Sequence, residues 1–258
     1  MDTKTLSPEA MAVIDSYRHF KIGAAECSVP YFNNKTIRSR GALSAIIGKG
    51  SPKEIFDEAE TIVFKSRAEP ASLTGDALKK LLADHNVGLD CSGLAYHVLD
   101  AESQAQGKGP IKGHLDFIKA KGISGFIASR THPARLSDVA TFADDRNSRT
   151  VELHEAAVGD VITMLAGPAT ADRNHILIVH QIDYKDSVPT ALRYTQAVAY
   201  PEDGLYGSGI RQGSIELTAP GEPITAQRWI EAGMEGADNR ILARAQRSTT
   251  QLRRLKWL

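Results

Sequence analysis

The sequence predicts an α+β fold, a mainly helical N-terminal part packed on a C-terminal antiparallel sheet. Three observations carry this. Apolar residues recur at helical spacing behind capping signals through the first hundred residues, short β-rich runs bounded by Gly, Pro, Asp and Asn follow from Val151 onward, and no linker-like stretch separates the two. Residues 1–258 therefore read as one domain, with a mainly helical part (1–104), a polar excursion (105–150) and a mainly strand part (151–258).

Ser7 and Pro8 open a first helix through about Phe20, with Met11, Ile14 and Tyr17 on one face. Ser51, Pro52 and Glu54 form a capping box ahead of IFDEAETIVF. A third helix is expected over 76–85. A fourth starts at Cys91, where Gly88 breaks the preceding segment, Asp90 stands as N-cap, and Leu94, Ala95, Val98 and Leu99 repeat at helical intervals. Residues 105–150 are polar and rich in turn formers, an excursion suited to shaping a cleft. Strands are expected at 151–153, 159–165, 175–183, 191–199 and 210–217, and from about residue 249.

Hydrophobic content of 42% over 258 residues is enough to bury a sizeable core. Lys plus Arg and Asp plus Glu both number 31, so no polyanionic partner such as a nucleic acid is implied. The basic clusters RSR at Arg38 and LRRLKW at Leu252 read as solvated faces or a closing edge strand. Two cysteines, Cys27 and Cys91, are too few for a disulfide framework and read as free thiols in a reducing compartment. Asp2, Lys4, Glu9, Asp15 and Arg18 interrupt any apolar leader, and no stretch is long enough to span a bilayer. A cytoplasmic location is expected, with signal-independent export or release as the other route to an outside target.

Chemistry concentrates at Cys91. The first turn of a helix presents unpaired N–H groups and the positive end of the dipole, so a thiolate there is stabilised and its pKa is expected to fall. A small buried cysteine filling space is the competing reading. Downstream, GDVITM and HILIVHQI read as two strands, and His175 begins the second. A helix-start cysteine with a strand-start histidine is a thiol hydrolase arrangement, in which imidazole takes the thiol proton and returns it to the leaving group. Other motifs are weaker. GKGSP at Gly48 lacks phosphate-loop spacing and reads as a turn. His114 with Asp116, and His154 with Glu155, make no set of three or four metal ligands, so no metal or other cofactor is expected. His97 points away from Cys91 around the helix, His180 is assigned to packing or a polar network, and Asp160 to a turn.

These patches resemble the NlpC-type cell-wall peptidases of the papain-like superfamily. DCSG at Asp90 to Gly93 matches the family's nucleophile motif as it stands. AVGDVITM and NHILIVHQI are similar to its strand pair, with Val158 in place of a proline, and VPYFNN at Val29 to Asn34 is similar to its upstream proline-tyrosine element, with Asn33 and Asn34 where paired glycines are usual. The resemblance implies a papain-like fold, Cys91 as nucleophile and His175 as base. It also implies a third polar residue on the strand 191–199, where Gln196 falls, with Thr195, Asn174 and Asp183 as alternatives. Tyr31 is similar to the family tyrosine near the oxyanion, and reads equally as a tyrosine packed beside Pro30. The implied substrate is a peptide or peptidoglycan fragment. Acyl transfer by the same residues, and a non-catalytic module with an inert buried Cys91, are the alternatives.

Overall fold

Short polar side chains set where the first helices begin. In the computed structural model, which describes residues 2–33, 44–167 and 173–258, Ser7 accepts from the Ala10 N–H ahead of α1 (Pro8–Arg18). Ser51 and Glu54 form the reciprocal capping box of α2 (Pro52–Lys65), Thr74 caps α3 (Gly75–Asp84), and Asp90 caps α4 (Cys91–Ala105). Asn34 and the RSR cluster at Arg38 lie outside the described residues. Further helices are α5 (Gly122–Thr131), α6 (Pro133–Leu136), α7 (Val139–Ala143), α8 (Gly204–Gly207) and α9 (Arg240–Gln246). The excursion at 105–150 is thus not the turn-rich loop its composition suggests, because α5 to α7 and a strand, β4 (Ser148–Thr150), lie within it.

The strands are β1 (Asp2–Thr5), β2 (Phe20–Ile22), β3 (Ala25–Cys27), β5 (Val161–Ala166), β6 (His175–Lys185), β7 (Val188–Val198), β8 (Gly209–Glu216), β9 (Arg228–Glu231), β10 (Met234–Glu235) and β11 (Ser248–Leu255). β2 and β3 make a separate hairpin, and the rest form one antiparallel sheet ordered β10-β9-β8-β7-β6-β5-β11-β4. β6 is its axis. β7 takes one edge of β6, while β5 pairs with the first part of the other edge (Met164↔His175) and β1 with its continuation (Asp2↔Tyr184). The strand expected at 151–153 is displaced: residues 148–150 pair with β11, and a 3-10 turn follows at Leu153–Glu155.

LRRLKW is neither a solvated face nor the closing edge, because β11 runs between β5 and β4. Arg253 is buried and donates to Asp145 (2.5 Å) and Ser148, and Arg254 pairs with Asp160 at 2.7 Å. Both faces of the sheet are covered. Ile176, Ile178 and Ala197 join α1 and α4 in one core, and Leu177, Val179, Leu192, Tyr194 and Trp229 join Ile241, Leu242 and Ala245 of α9 in the other. No helix among the described residues is long and apolar enough to cross a membrane.

Candidate active site

Each residue of DCSG has a separate structural task. Asp90 accepts from the Gly93 N–H at 2.6 Å and from Ser92 Oγ, closing the first turn of α4. Its charge is met by Lys49, whose Nζ donates to Asp90 Oδ1 (2.9 Å), Ser92 Oγ (2.5 Å) and the Ser137 carbonyl (2.8 Å) in a nearly buried cluster. Gly93 is required because a Cβ there would lie 2.4 Å from the Gly48 carbonyl oxygen, which itself accepts from the Asp90 N–H. Gly48 adopts φ +80°, a conformation glycine reaches without strain. GKGSP is therefore the turn the sequence suggested, but it also delivers Lys49 to the nucleophile motif. Sequence reasoning missed this lysine, and the bare Asp90 beside an apolar helix was the one hint that a counter-charge was needed.

Cys91 is the first residue of α4 and 3% exposed. It lines a cleft with Lys49, Ser92, Asp138, Arg173 and Asn174, so the 105–150 segment does contribute a wall. The Ile176 backbone N–H bonds to the sulfur, which places the thiol against the first peptide of β6. Burial pushes the thiol up to about 11, with Asp90 adding to the rise and Lys49, Ile176 and Arg244 opposing it. The lowered pKa expected from the helix start does not hold here, since loss of water outweighs the first-turn amides. Cys27 and Cys91 are both free.

His175 begins β6, 1% exposed, and its Nε2 lies 2.7 Å from Gln196 Oε1 on β7. Gln196 Nε2 in turn donates to Glu231 Oε2 at 2.5 Å. Glu231 also accepts from the hydroxyls of Tyr194 and Tyr200, and Arg211 stands 3.8 Å away. With these donors turned toward it the carboxyl acts as acceptor, so the amide nitrogen of Gln196 must face Glu231 and its oxygen His175. The ring then carries its proton on Nε2 and leaves the Nδ1 lone pair open. Burial, with Arg244 adding, holds His175 down to about 3.

The other candidates for the third position are engaged elsewhere. Thr195 Oγ1 meets His180 Nδ1 at 3.0 Å, Asn174 accepts from the Ala166 N–H, and Asp183 pairs with Arg193. His180 thus sits in a polar network, beside a bulge between Val179 and Gln181. His97 is bonded to the Lys49 carbonyl. Tyr31 bridges to Leu89 just ahead of Asp90, and burial, with the Cys91 sulfur adding, raises its hydroxyl pKa. His175 shares the strand alternation of Leu177 and Val179, the α9 face, whereas α4 packs on the Ile176 face. Thiol and ring therefore meet the end of β6 from different sides, and no hydrogen bond joins them. Arg244 of α9, also unforeseen, is felt by Cys91, His175 and Tyr31 alike.

Among the described residues no three His, Cys, Asp or Glu side chains gather as a metal site. Compared with known proteins, the chain matches no family model, no curated protein and no solved structure.

Proposed function

We propose that this chain is a cysteine-dependent amidohydrolase or peptidase of the NlpC, papain-like type, acting on a small peptide or a peptidoglycan stem-peptide amide. The observation that carries the reading is the relay Glu231, Gln196, His175, which holds the imidazole in the tautomer a general base needs, at the strand end whose next N–H touches the Cys91 sulfur.

The couple rests as neutral thiol and neutral imidazole, since burial disfavors both charges. Attack requires the ring to turn to the thiol's side of the β6 end; His175 Nδ1 then takes the thiol proton, sulfur bonds to the amide carbon, and the oxyanion is met by the Cys91 backbone N–H and the Tyr31 hydroxyl. His175 then gives its proton to the departing amine, leaving a thioester. Water, deprotonated by His175, cleaves it to acid and free thiol.

One observation favors a second reading, a binding module with an inert thiol: sulfur and ring are both nearly inaccessible, and the thiol is pushed up to about 11. Incubating defined muropeptides with the wild type, Cys91→Ala and His175→Ala, followed by mass spectrometry, separates the two. The hydrolase gives two fragments whose masses add to substrate plus one water, lost in both variants. An amine adduct in place of the acid marks acyl transfer, and an untouched substrate panel favors the inert module.

A further inference from the structure

The helix α5 packs with its small residues inward and its large ones outward. Its half-buried side carries Gly125, Ala128 and Ser129, and a Cβ on Gly125 would lie 2.5 Å from the Ala120 carbonyl carbon. Ile123, Phe126 and Ile127 share the opposite side at i, i+3 and i+4, and are 81%, 56% and 55% exposed. Single exposed apolar side chains are ordinary on a folded surface, but three gathered on one helix face, with the small residues turned to the protein, mark a contact surface. α5 packs on α6, which packs on α4, and Lys119, Ser137 and Asp138 to either side of it line the Cys91 cleft.

The charge around this face is one-sided. Between residues 103 and 134 the chain has Lys108, Lys112, Lys119, Lys121 and Arg130 against the single carboxylate of Asp116, in a sequence whose formal charges balance overall. Asp116 is taken by Arg146, and Lys119 by Asp138. Lys112, Lys121 and Arg130 are exposed and have no carboxylate partner among the described residues. They surround the apolar face. Lys121 is the N-cap residue of α5, Arg130 lies in its last turn with its guanidinium 4.5 Å from the Phe126 ring centroid, and Lys112 Nζ donates to the Arg130 carbonyl at 3.3 Å. A second copy of this patch would set like charges against one another, which disfavors self-association through it. A surface with phosphates outside and hydrocarbon just beneath satisfies the cations and the apolar side chains together, and a ten-residue helix is long enough only to lie in such an interface.

We propose that α5, with Lys112, Lys121 and Arg130, docks the protein on an anionic phospholipid surface, Ile123, Phe126 and Ile127 entering the headgroup layer. The docking does not rest on the hydrolase reading; where that reading holds, docking brings the Cys91 cleft to amides presented at a bilayer.

Co-sedimentation of the full chain with vesicles of pure phosphatidylglycerol, and separately of pure phosphatidylcholine, tests it. Binding to phosphatidylglycerol is expected, with affinity at least about tenfold lower for phosphatidylcholine, about fivefold lower in Lys121→Gln and at least about tenfold lower in Phe126→Ser. Both residues are exposed, so their loss leaves the core intact. Phe64→Ser removes an exposed aromatic of α2, away from this patch, and should bind as the wild type does. Cys91→Ala should also bind as the wild type does, which keeps vesicle binding separate from any cleavage. No binding to phosphatidylglycerol, binding undiminished in Phe126→Ser and Lys121→Gln, or an equal loss in Phe64→Ser overturns the proposal. Poly-glutamate bound as tightly as the vesicles, with no loss in Phe126→Ser, marks an acidic polypeptide surface and overturns the lipid assignment. Vesicle binding together with an uncut muropeptide panel supports the docking while counting against the hydrolase.

Discussion

Glu231 is the nearer of two acceptors for the Gln196 amide nitrogen, at 2.5 Å against 3.4 Å for the Tyr200 hydroxyl, and the one that cannot turn a proton toward it when ionised. Its replacement by glutamine gives Gln196 a partner that can donate as well as accept, so the amide of Gln196 is free to turn its nitrogen toward His175. Glu231→Gln is therefore expected to shift the ring from a single Nε2–H tautomer to a mixture, read from the His175 ring 15N shifts, and to slow hydrolysis of any muropeptide the wild type cuts. Gln196→Leu removes the acceptor outright and leaves a buried ring N–H unsatisfied, costing about 1–3 kcal/mol in urea unfolding. Unchanged ring shifts in Glu231→Gln would remove the orienting role argued for it. The strand that carries Gln196 was legible from its β-branched and aromatic content, while Gln196 itself stood as one of four candidates beside Thr195, Asn174 and Asp183. Glu231 was not legible, because it lies 35 positions further on in a short strand that carried no recognised signal.

At the scale of elements, the start of α4 depends on a buried ion pair and on bare backbone contact. Removing Asp90 leaves the Lys49 ammonium without its carboxylate, so Asp90→Ala should cost about 3–5 kcal/mol, well above the ~1 kcal/mol of a lost cap. Asp90→Asn keeps the cap and loses the charge. Its loss should be largely recovered by adding Lys49→Met, and a double variant as unstable as Asp90→Asn alone would show that the pair is not the source. Gly93→Ala forces a methyl against the Gly48 carbonyl and should cost about 1–3 kcal/mol by overpacking, checked by the same unfolding curves. Elements announced by their own caps and periodicity were legible, as α1 to α4 show. β1 was not, since DTKT is exposed at all four positions and pairs because β6 outruns β5 along their shared edge. α5 buries none of its residues and so offers no core-facing apolar stripe to read.

Across the whole molecule, a sheet covered on both faces leaves its histidines dry. Burial holds His175 down to about 3 and, with Arg18 and Arg193 adding, His180 down to about 4, against an ordinary 6.5. Above pH 6.5 each ring is neutral in both the folded and the unfolded chain and makes no difference to stability. Below it the unfolded chain takes up protons that the folded chain refuses, so stability is lost as the pH falls from 6.5 toward the folded values. At pH 5 the loss is about 2 kcal/mol for each ring, about 4 kcal/mol for both. Glu231 and Asp160, raised by burial, act in the opposite sense, so the informative quantity is the difference between two chains that share them. Urea unfolding at pH 7.5 and pH 5.0 should show His180→Gln losing about 2 kcal/mol less than the wild type over this interval. Equal losses would mean that His180 takes up its proton in the folded chain, and that the sheet admits water where the structure packs side chains.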